Sequence, residues 1–392
     1  MTQPVQIASD PEPTPPPAPA ADAASSHFRD EQDSHRRAMP LQRLLGGGMR
    51  HADAVALHAM AEAGIGWSEG GEWLGERNLR LAAAAGTIET ERSCLRYASA
   101  CFRAAQAAIP TDTDRKKQLY ARMIDAFAKA GALDQRPMER HEVEWAGGRI
   151  CGWLMRPEAT GSTSVVIVLG GFDGWREEYH AGAAHLVRRG IAAFLVDGPG
   201  QGETRLFHGL FLDADFHKAL AAAALHLRER CGLGPFVGIW GNSLGGFLAA
   251  KTAAAHPDFD ALCVNGGTMR PLELPERYPR FFEKIEALVG TTDRSLALEI
   301  MEQLDLDQDV EAIRCPLLQL HSIPDPIFHL ANARPIHDRA SSKDKTLLIW
   351  DDGDHCMYNH SDEKHMVVAD WFCKRFVSTV FSKSARTISV PR

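Results

Sequence analysis

The sequence predicts an α/β fold in which a mostly parallel sheet of eight strands follows an N-terminal helical domain. Three observations support this prediction. Between residues 41 and 135, apolar residues recur every three or four positions, which is the helical period. From residue 140 onward, short apolar runs alternate with amphipathic segments, as in a parallel sheet covered by helices on both faces. One apolar run, near residue 240, leads through a glycine-rich turn directly into a helical pattern.

The N-terminal part of the chain divides into residues 1–38 and residues 41–135. The first segment is rich in Pro, Ala, Ser and Asp, and it has too few large apolar residues to form a core. We therefore predict a disordered tail. The second segment is predicted to be a helical cap domain, with amphipathic helices at 51–63, 72–85, 88–109 and 112–130.

Residues 140–382 are predicted to form the α/β domain, and residues 383–392 a short tail. A Gly147-Gly148 turn between two alternating runs indicates that a β-hairpin opens the sheet. The predicted strands are His141–Trp145, Ile150–Met155, Ser164–Leu169, Ala192–Asp197, Phe236–Trp240, Ala261–Asn265, Pro316–His321 and Thr346–Asp351. The predicted helices of this domain lie at 177–189, 211–230, 247–250 and 365–381. Residues 268–314 are predicted to be a helical insertion over the carboxyl ends of the strands, where open α/β sheets bind ligands.

The composition limits the possible partners. The chain has 392 residues, 45% of them hydrophobic, and a formal net charge of -8, which argues against nucleic acid or an anionic membrane as a partner. The eight cysteines form no CxxC pair, so we expect reduced thiols and a cytoplasmic location. The sequence has no HExxH motif and no paired Cys/His spacing, so we expect neither a metal nor a cofactor. The expected partner is a small-molecule substrate.

The glycine-rich turn matches the pattern G-x-S-x-G, with Ser243 at its apex between Gly241 and Gly245. Glycines are needed on both sides because the serine occupies a strained backbone conformation close to neighbouring chain segments. The turn presents the Ser243 hydroxyl as a nucleophile, and the Leu244 N–H, at the start of the helix, points where an oxyanion would form. This strand, turn and helix form the nucleophile elbow of the α/β-hydrolase fold, which we therefore predict.

A nucleophilic serine needs a base and an acid, which follow it in this fold in the order acid, then histidine. Asp325 follows the predicted strand Pro316–His321, and His355 follows the strand Thr346–Asp351. Both positions lie at the carboxyl ends of strands, near the elbow. We predict that Ser243 attacks a carbonyl, His355 transfers its proton, and Asp325 orients the imidazole.

Each member of this predicted triad has an alternative. The turn at Ser243 could be an ordinary glycine-rich connection between a strand and a helix. Asp325 could cap a turn between two prolines, in which case Asp351 or Asp352 would be the acid. Both lie too close to the strand of His355 to reach round the imidazole easily. His360 is the alternative base, and we favour His355 because it follows Gly353-Asp354 directly after the strand.

The second oxyanion donor is expected in the loop Gly170-Gly171-Phe172-Asp173, which follows the third predicted strand. We select the Phe172 N–H, because the adjacent glycines let the backbone approach a substrate. Asp173 is a possible auxiliary acid. The other interpretation is that it only complements the positive end of the following helix.

Several segments together resemble one subgroup of α/β-hydrolases. These are the helical N-terminal domain and the segments GGFDGWREE (170–178), DGPGQGE (197–203) and GNSLGG (241–246). The combination resembles the 2,6-dihydroxypseudooxynicotine hydrolase and fermentation-respiration-switch esterase-like family over roughly residues 45–380. The family also includes fungal hydrolases of secondary metabolism that shorten pigment polyketides. The resemblance implies the triad Ser243, Asp325, His355 and a helical cap that closes the active site of a homodimer.

Well-known members of this family cleave a carbon–carbon bond beside a ketone. The resemblance therefore implies hydrolysis of an aryl-ketone or 1,3-diketone-like metabolite. It also implies an extra acid shortly after the sixth strand, for which Glu273 and Glu276 are both candidates. A surface salt bridge is an equally good interpretation of either residue.

Two further functions fit the same residues. An esterase, thioesterase or acyltransferase would use the same triad, because the first chemical step is shared. A binding module without catalytic activity is the more distant possibility. The simultaneous presence of serine, aspartate and histidine argues against it.

Overall fold

The computed structural model describes residues 16, 33–158, 163–234, 236–278 and 281–376. The predicted tails at 1–38 and 383–392 lie almost entirely outside these residues. The exceptions are residue 16 and the segment 33–38, which is helical rather than disordered. This segment has partners, since Arg36 pairs with Glu62 and the adjoining Met39 is buried.

A helical region precedes the sheet, as predicted. After the segment 33–38, the described residues form five helices there, one more than the four predicted. They are α1 Leu41–Gly46, α2 His51–Glu62, α3 Trp67–Ala83, α4 Ile88–Ala107 and α5 Asp114–Ala132. Their apolar faces pack on one another in a separate core that includes Trp67, Leu74 and Phe102. Polar contacts connect this helical region to the α/β part, and two of them join α5 and the turn before it to residues that follow β4 or end it. Tyr120 Oη donates to Asp197 Oδ2 over 2.8 Å, and Arg205 Nη2 lies 3.0 Å from Asp112 Oδ1.

The predicted eight-stranded, mostly parallel sheet is confirmed. Its order is β1-β2-β4-β3-β5-β6-β7-β8; β2 pairs antiparallel with β1 and β4, and the remaining pairs are parallel. The strands are β1 Glu139–Trp145, β2 Gly148–Met155, β3 Val165–Leu169, β4 Ala192–Asp197, β5 Val237–Asn242, β6 Ala261–Asn265, β7 Leu317–Ser322 and β8 Lys345–Trp350. Every residue of β3 to β7 is buried, because helices cover both faces of the sheet.

The remaining helices surround the sheet. They are α6 His180–Val187, α7 Gly202–Leu206, α8 Phe216–Glu229, α9 Leu244–Ala255, α10 Glu273–Arg277, α11 Phe282–Val289, α12 Arg294–Glu302, α13 Leu330–Arg339 and α14 Ser361–Phe376. Helix α13 was not predicted, because it has a proline, Pro335, in its interior and few apolar residues. The closing helix α14 begins four residues before its predicted start at 365, and the predicted part beyond 376 lies outside the described residues.

The region predicted to be an insertion, 268–314, contains α10, α11 and α12 between β6 and β7. Parallel strands bring the loops at their carboxyl ends to the same edge of the sheet. The loops after β3, β5, β7 and β8 therefore converge there. Among the described residues, no helix is both long and apolar enough to cross a lipid bilayer.

Candidate active site

Ser243 occupies a sharp turn between β5 and α9. Its backbone has φ 58° and ψ -127°, a conformation that L-residues rarely adopt. A Cβ atom on Gly241 would overlap the Gly245 carbonyl, and one on Gly245 would overlap the Gly170 carbonyl. The Ser243 N–H donates to the Asn265 carbonyl over 2.8 Å. The flanking glycines thus allow the chain segments to approach closely enough to hold the serine in its strained conformation.

His355 links Ser243 to Asp325. Its Nε2 lies 2.8 Å from Ser243 Oγ, while its Nδ1 lies 2.8 Å from Asp325 Oδ2 and 3.0 Å from Oδ1. The imidazole can therefore accept the serine proton on one nitrogen while the carboxylate holds the other. The side chain of Asp325 is fully buried and that of His355 is 17% exposed. This arrangement can activate the serine hydroxyl as a nucleophile.

The electrostatics of the pair favour a charged imidazole. Burial lowers the pKa of His355, but the facing Asp325 carboxylate outweighs burial and raises this pKa above its ordinary value. Burial likewise raises the pKa of Asp325, but the attraction of His355 outweighs it, so that this pKa lies below its ordinary value. Each group therefore stabilises the ionised form of the other.

Local backbone contacts hold both partners in place. Asp325 Oδ1 accepts hydrogen bonds from the N–H groups of Ile327 at 2.8 Å and Phe328 at 3.1 Å, so the loop after β7 fixes the carboxylate. Cys356 follows His355 with a φ of 59°, and its Sγ lies 3.5 Å from His355 Nε2. The acid and the base are thus positioned by the loops that directly follow their strands.

The loop after β3 lies against the elbow. A Cβ atom on Gly171 would lie 2.7 Å from Ser243 Cβ and 3.0 Å from the Leu244 nitrogen, which shows how closely the two segments approach. Within the part of the chain that the structure describes, the N–H groups of Phe172 and Leu244 donate no hydrogen bond. Both are therefore available to an oxyanion.

A cavity of about 390 Å³ opens above Ser243 and His355. Its walls come from the loops of the sheet, from the region after β6 and from the N-terminal helical segment. They are mostly apolar or aromatic, with Ala38, Pro40, Phe172, Tyr179, Leu274, Tyr278, Phe281, Pro326, Ile327 and Tyr358. Charged side chains, Arg37, Arg43, Asp173 and Asp354, line the remainder. Apolar walls with a few charged groups are typical of a site that binds a small molecule.

Asp173 lies in this cavity and forms a bridge between regions. Lys284 Nζ, from α11, lies 2.7 Å from Asp173 Oδ2, and Arg43 Nη2, from α1, donates to the Asp173 carbonyl over 2.9 Å. Burial raises the pKa of Asp173, but Lys284 and then Arg43 outweigh burial and lower it. Asp173 is therefore an ionised anchor between the loop after β3 and the helices above it.

The two other candidate acids do not line the cavity. The Glu273 carboxylate is buried and accepts hydrogen bonds from Thr268 and Asn332. Glu276 is exposed and pairs with Arg270 over 2.8 Å. Their carboxylates bind residues outside α10, and neither is among the residues that line the cavity.

The alternatives to the base and the acid lie elsewhere. His360 Nε2 lies 2.9 Å from Asp352 Oδ1 on the surface, and Asp351 is also exposed. Most residues that line the cavity were not identified from the sequence, among them Arg43, Tyr179 and Tyr358. These three lie in segments without a recognisable motif, so only their contacts reveal them.

Comparisons with known proteins agree with the fold and with the predicted resemblance. A family model described as alpha/beta hydrolase fold matches residues 164–297. A 2,6-dihydropseudooxynicotine hydrolase of Paenarthrobacter nicotinovorans is 28% identical over 266 residues, which are 66% of this chain and 70% of that protein. A 20-hydroxy-prefusarin hydrolase of Gibberella moniliformis is 30% identical over 173 residues, 41% of each chain.

A solved structure supports the same assignment. The crystal structure of a 2,6-dihydroxy-pseudo-oxynicotine hydrolase matches with a TM-score of 0.77 at 26% identity, covering 86% of this chain and 95% of that one. This likeness extends well beyond the segment matched by the family model, and it includes the N-terminal helical region. The protein therefore has the α/β-hydrolase fold and is similar in sequence and in structure to a hydrolase, 2,6-dihydropseudooxynicotine hydrolase.

Proposed function

We propose that the protein is a serine hydrolase in which Ser243, His355 and Asp325 form a catalytic triad. The observation that carries the proposal is the pair of 2.8 Å contacts from His355, one to Ser243 Oγ and one to Asp325 Oδ2. Ser243 Oγ attacks a substrate carbonyl carbon, and its proton moves to His355 Nε2. Asp325 holds the imidazole in the required tautomer and stabilises its charged form.

The carbonyl oxygen becomes an oxyanion in this step. The N–H groups of Phe172 and Leu244 are proposed to donate to it, since they belong to the two segments that meet at Ser243. Leu244 begins α9, so the helix dipole adds to the stabilisation of negative charge there.

We propose further that the bond broken is a carbon–carbon bond beside a ketone. The tetrahedral intermediate collapses, and the electron pair of the breaking bond moves to the neighbouring carbon to form an enolate. The proton on His355 Nε2 then passes to that carbon, so one product is a ketone. Water, deprotonated by His355, hydrolyses the acyl group from Ser243 and releases the second product, a carboxylic acid.

The supports for this substrate class are the relatives and the cavity. The bacterial relative is named as a hydrolase of 2,6-dihydropseudooxynicotine, and the fungal one as a hydrolase of 20-hydroxy-prefusarin. The walls of the 390 Å³ cavity include Phe172, Tyr278 and Phe281, which suit an aromatic ketone. An aryl 1,3-diketone is the simplest molecule that has both an aromatic ring and a carbon–carbon bond beside a ketone.

Ester hydrolysis on the same triad is the second candidate, and one observation favours it. Glu273 and Glu276 both lie outside the cavity, so the extra acid implied by the family resemblance is not beside Ser243. An ester does not need such an acid, because its alkoxide leaving group is protonated directly by His355.

The first experiment is covalent labelling of the full-length protein with a fluorophosphonate, followed by mass spectrometry. We expect one adduct on the elbow peptide of the wild type and none on Ser243→Ala. His355→Ala should react far more slowly, because its serine has no base. His360→Ala is the matched control and should react like the wild type. An adduct on Ser243→Ala, or no adduct on folded wild-type protein, would overturn the triad.

The second experiment separates the two reactions. Purified protein is incubated with a panel of aryl 1,3-diketones and with aryl esters of similar size, and the acid products are quantified. Carbon–carbon hydrolysis predicts turnover of diketones that Ser243→Ala abolishes. Turnover of esters together with inert diketones would refute the carbon–carbon form and leave the esterase.

The resemblance and the composition support two further proposals. We propose a homodimer, as the family resemblance implies, and sedimentation equilibrium would test it because a monomer would give half the expected mass. We also propose a cytoplasmic location. Cell fractionation with an antibody against the chain would test it, and recovery in a membrane or extracellular fraction would contradict it.

A further inference from the structure

A cluster of potential metal ligands lies at the edge of the sheet, away from the candidate active site. It consists of His141 on β1, His226 on α8 and Cys231 in the turn after α8. Their ligand atoms all lie within 4.8 Å of one another. In the strand order, β1 is separated from β5, which leads to Ser243, by β2, β4 and β3. The cluster is thus not explained by the hydrolase chemistry.

The spacing of the atoms matches a tetrahedral cation. His141 Nδ1 lies 3.1 Å from His226 Nε2 and 3.7 Å from Cys231 Sγ. A zinc ion with ordinary bonds of about 2.0 Å to nitrogen and 2.3 Å to sulfur separates two nitrogens by roughly 3.3 Å and a nitrogen from a sulfur by roughly 3.6 Å. Both separations from His141 Nδ1 therefore lie within a few tenths of an ångström of those in a tetrahedral zinc site.

A carboxylate orients the central ligand. Glu139 Oε2 lies 3.3 Å from His141 Nε2, so the proton of this imidazole belongs on Nε2 and the Nδ1 lone pair faces His226. Arg156 holds Glu139 with a contact of 2.6 Å and also donates to the Cys231 carbonyl over 3.1 Å. A carboxylate behind a histidine is the usual outer contact of a metal-binding imidazole.

We propose that His141, His226 and Cys231 bind a zinc-type divalent cation that fastens the edge strand β1 to α8. Two imidazoles and one thiolate favour zinc over magnesium or calcium, which prefer oxygen ligands. The fourth position is left to water. Binding releases the thiol proton of Cys231 and selectively stabilises the folded chain, in which the three ligands meet.

The chain contains a matched control for this cluster. His217 Nδ1 lies 2.9 Å from His256 Nε2, also at the surface of α8, but the described residues show no cysteine or carboxylate that completes a third ligand there. If two neighbouring histidines were sufficient, both pairs would bind a cation equally. If the Cys231 thiolate is required, only the cluster of His141, His226 and Cys231 will bind a cation.

The test uses cobalt(II) as a spectroscopic probe and zinc(II) as a competitor, on the full-length protein after treatment with a chelator. One equivalent of cobalt should produce a near-ultraviolet thiolate-to-cobalt band, and zinc should remove it. Cys231→Ser should abolish the band, and His217→Ala should leave it unchanged. Glu139→Gln should weaken zinc binding about tenfold or more, because the orientation of His141 is lost.

Thermal unfolding provides a second readout that is independent of activity. Zinc should raise the melting temperature of the wild type and of His217→Ala, but not that of Cys231→Ser or His226→Ala. The absence of a cobalt band in folded wild-type protein would overturn the proposal. A band that survives in Cys231→Ser would also overturn it, and would direct attention to the second cluster of Glu142, Cys151 and His208.

Discussion

The side-chain amide of Gln201 donates a hydrogen bond of 2.5 Å to the carbonyl oxygen of Gly170. The Gln201 oxygen accepts from the Gly198 N–H over 3.0 Å, so the side chain joins the loop after β4 to the loop after β3. The loop after β3 carries the Phe172 N–H, which is a proposed oxyanion donor. Gln201 therefore fixes the position of a group that it does not itself contribute to the reaction.

Replacing Gln201 by Ala should lower kcat while changing KM little. The loss of one oxyanion donor costs about 100- to 1000-fold in kcat, and we expect about tenfold from a misplaced donor. Steady-state kinetics with any substrate found by the panel would measure this. A folded variant with wild-type kcat would show that the loop keeps its position without Gln201.

Replacing Asp325 by Asn should move the pH profile as well as lower the rate. The Asp325 carboxylate raises the pKa of His355, and burial alone would lower it. In a plot of kcat/KM against pH, the rising limb reflects the loss of the proton from His355. This limb should therefore shift to lower pH in the variant. Its kcat should fall by about four orders of magnitude, as for other triads that lose their acid.

Asp352→Asn is the matched control for this experiment, since Asp352 faces the exposed His360. This substitution should leave both kcat and the rising limb of the pH profile of kcat/KM unchanged. If that limb stays in place or moves to higher pH in Asp325→Asn, the proposed electrostatic coupling between Asp325 and His355 is contradicted.

Replacing Arg176 by Met should destabilise the protein strongly. The Arg176 side chain is fully buried and pairs with Glu177 at 2.8 Å, with Asp197 at 3.6 Å and with Glu203. Removing it leaves the buried carboxylates of Glu177 and Asp197 without their cation, while Glu203 keeps its pair with Arg140. The loss costs about 3–5 kcal/mol. Urea unfolding would measure the change in the free energy of unfolding.

Arg189→Met provides the comparison for Arg176, because Arg189 pairs with Asp370, whose side chain is 61% exposed. A surface pair of this kind contributes about 0–1 kcal/mol. If the two substitutions lower the free energy of unfolding equally, the larger cost expected for the buried ion pairs is contradicted.

Replacing Lys284 by Met should loosen the contact between α11 and the loop after β3. Lys284 lies 2.7 Å from Asp173 and lowers the pKa of that carboxyl. Without Lys284, Asp173 should take up a proton at higher pH. A partly exposed ion pair contributes about 1 kcal/mol, so we expect kcat/KM to fall severalfold when this pair is lost.

Lys218→Met is the control for Lys284, since Lys218 pairs with Asp215 on the surface of α8. Its kcat/KM should equal that of the wild type. An unchanged kcat/KM in Lys284→Met would show that the contact between α11 and Asp173 does not affect the site.

Much of the fold could be predicted because its determinants are local. Strand and helix patterns follow from the spacing of apolar residues in a continuous stretch, and the eight strands lie within two residues of their predicted bounds. Helix α13 was missed because its only strong local signal, Pro335, argues against a helix. Packing of Ala333 and Ile336 on the core overrides that signal.

Ser243, Asp325 and His355 could be identified as candidates from local sequence patterns, because a strained turn needs glycines and because strand ends converge in a parallel sheet. The directions in which other side chains point became clear only from the folded structure. Glu273 turns to Thr268 and Asn332, Arg43 reaches the cavity from α1, and His226 meets His141 across 85 positions. Such contacts join segments distant in the chain, and their geometry depends on how whole elements pack rather than on any local pattern.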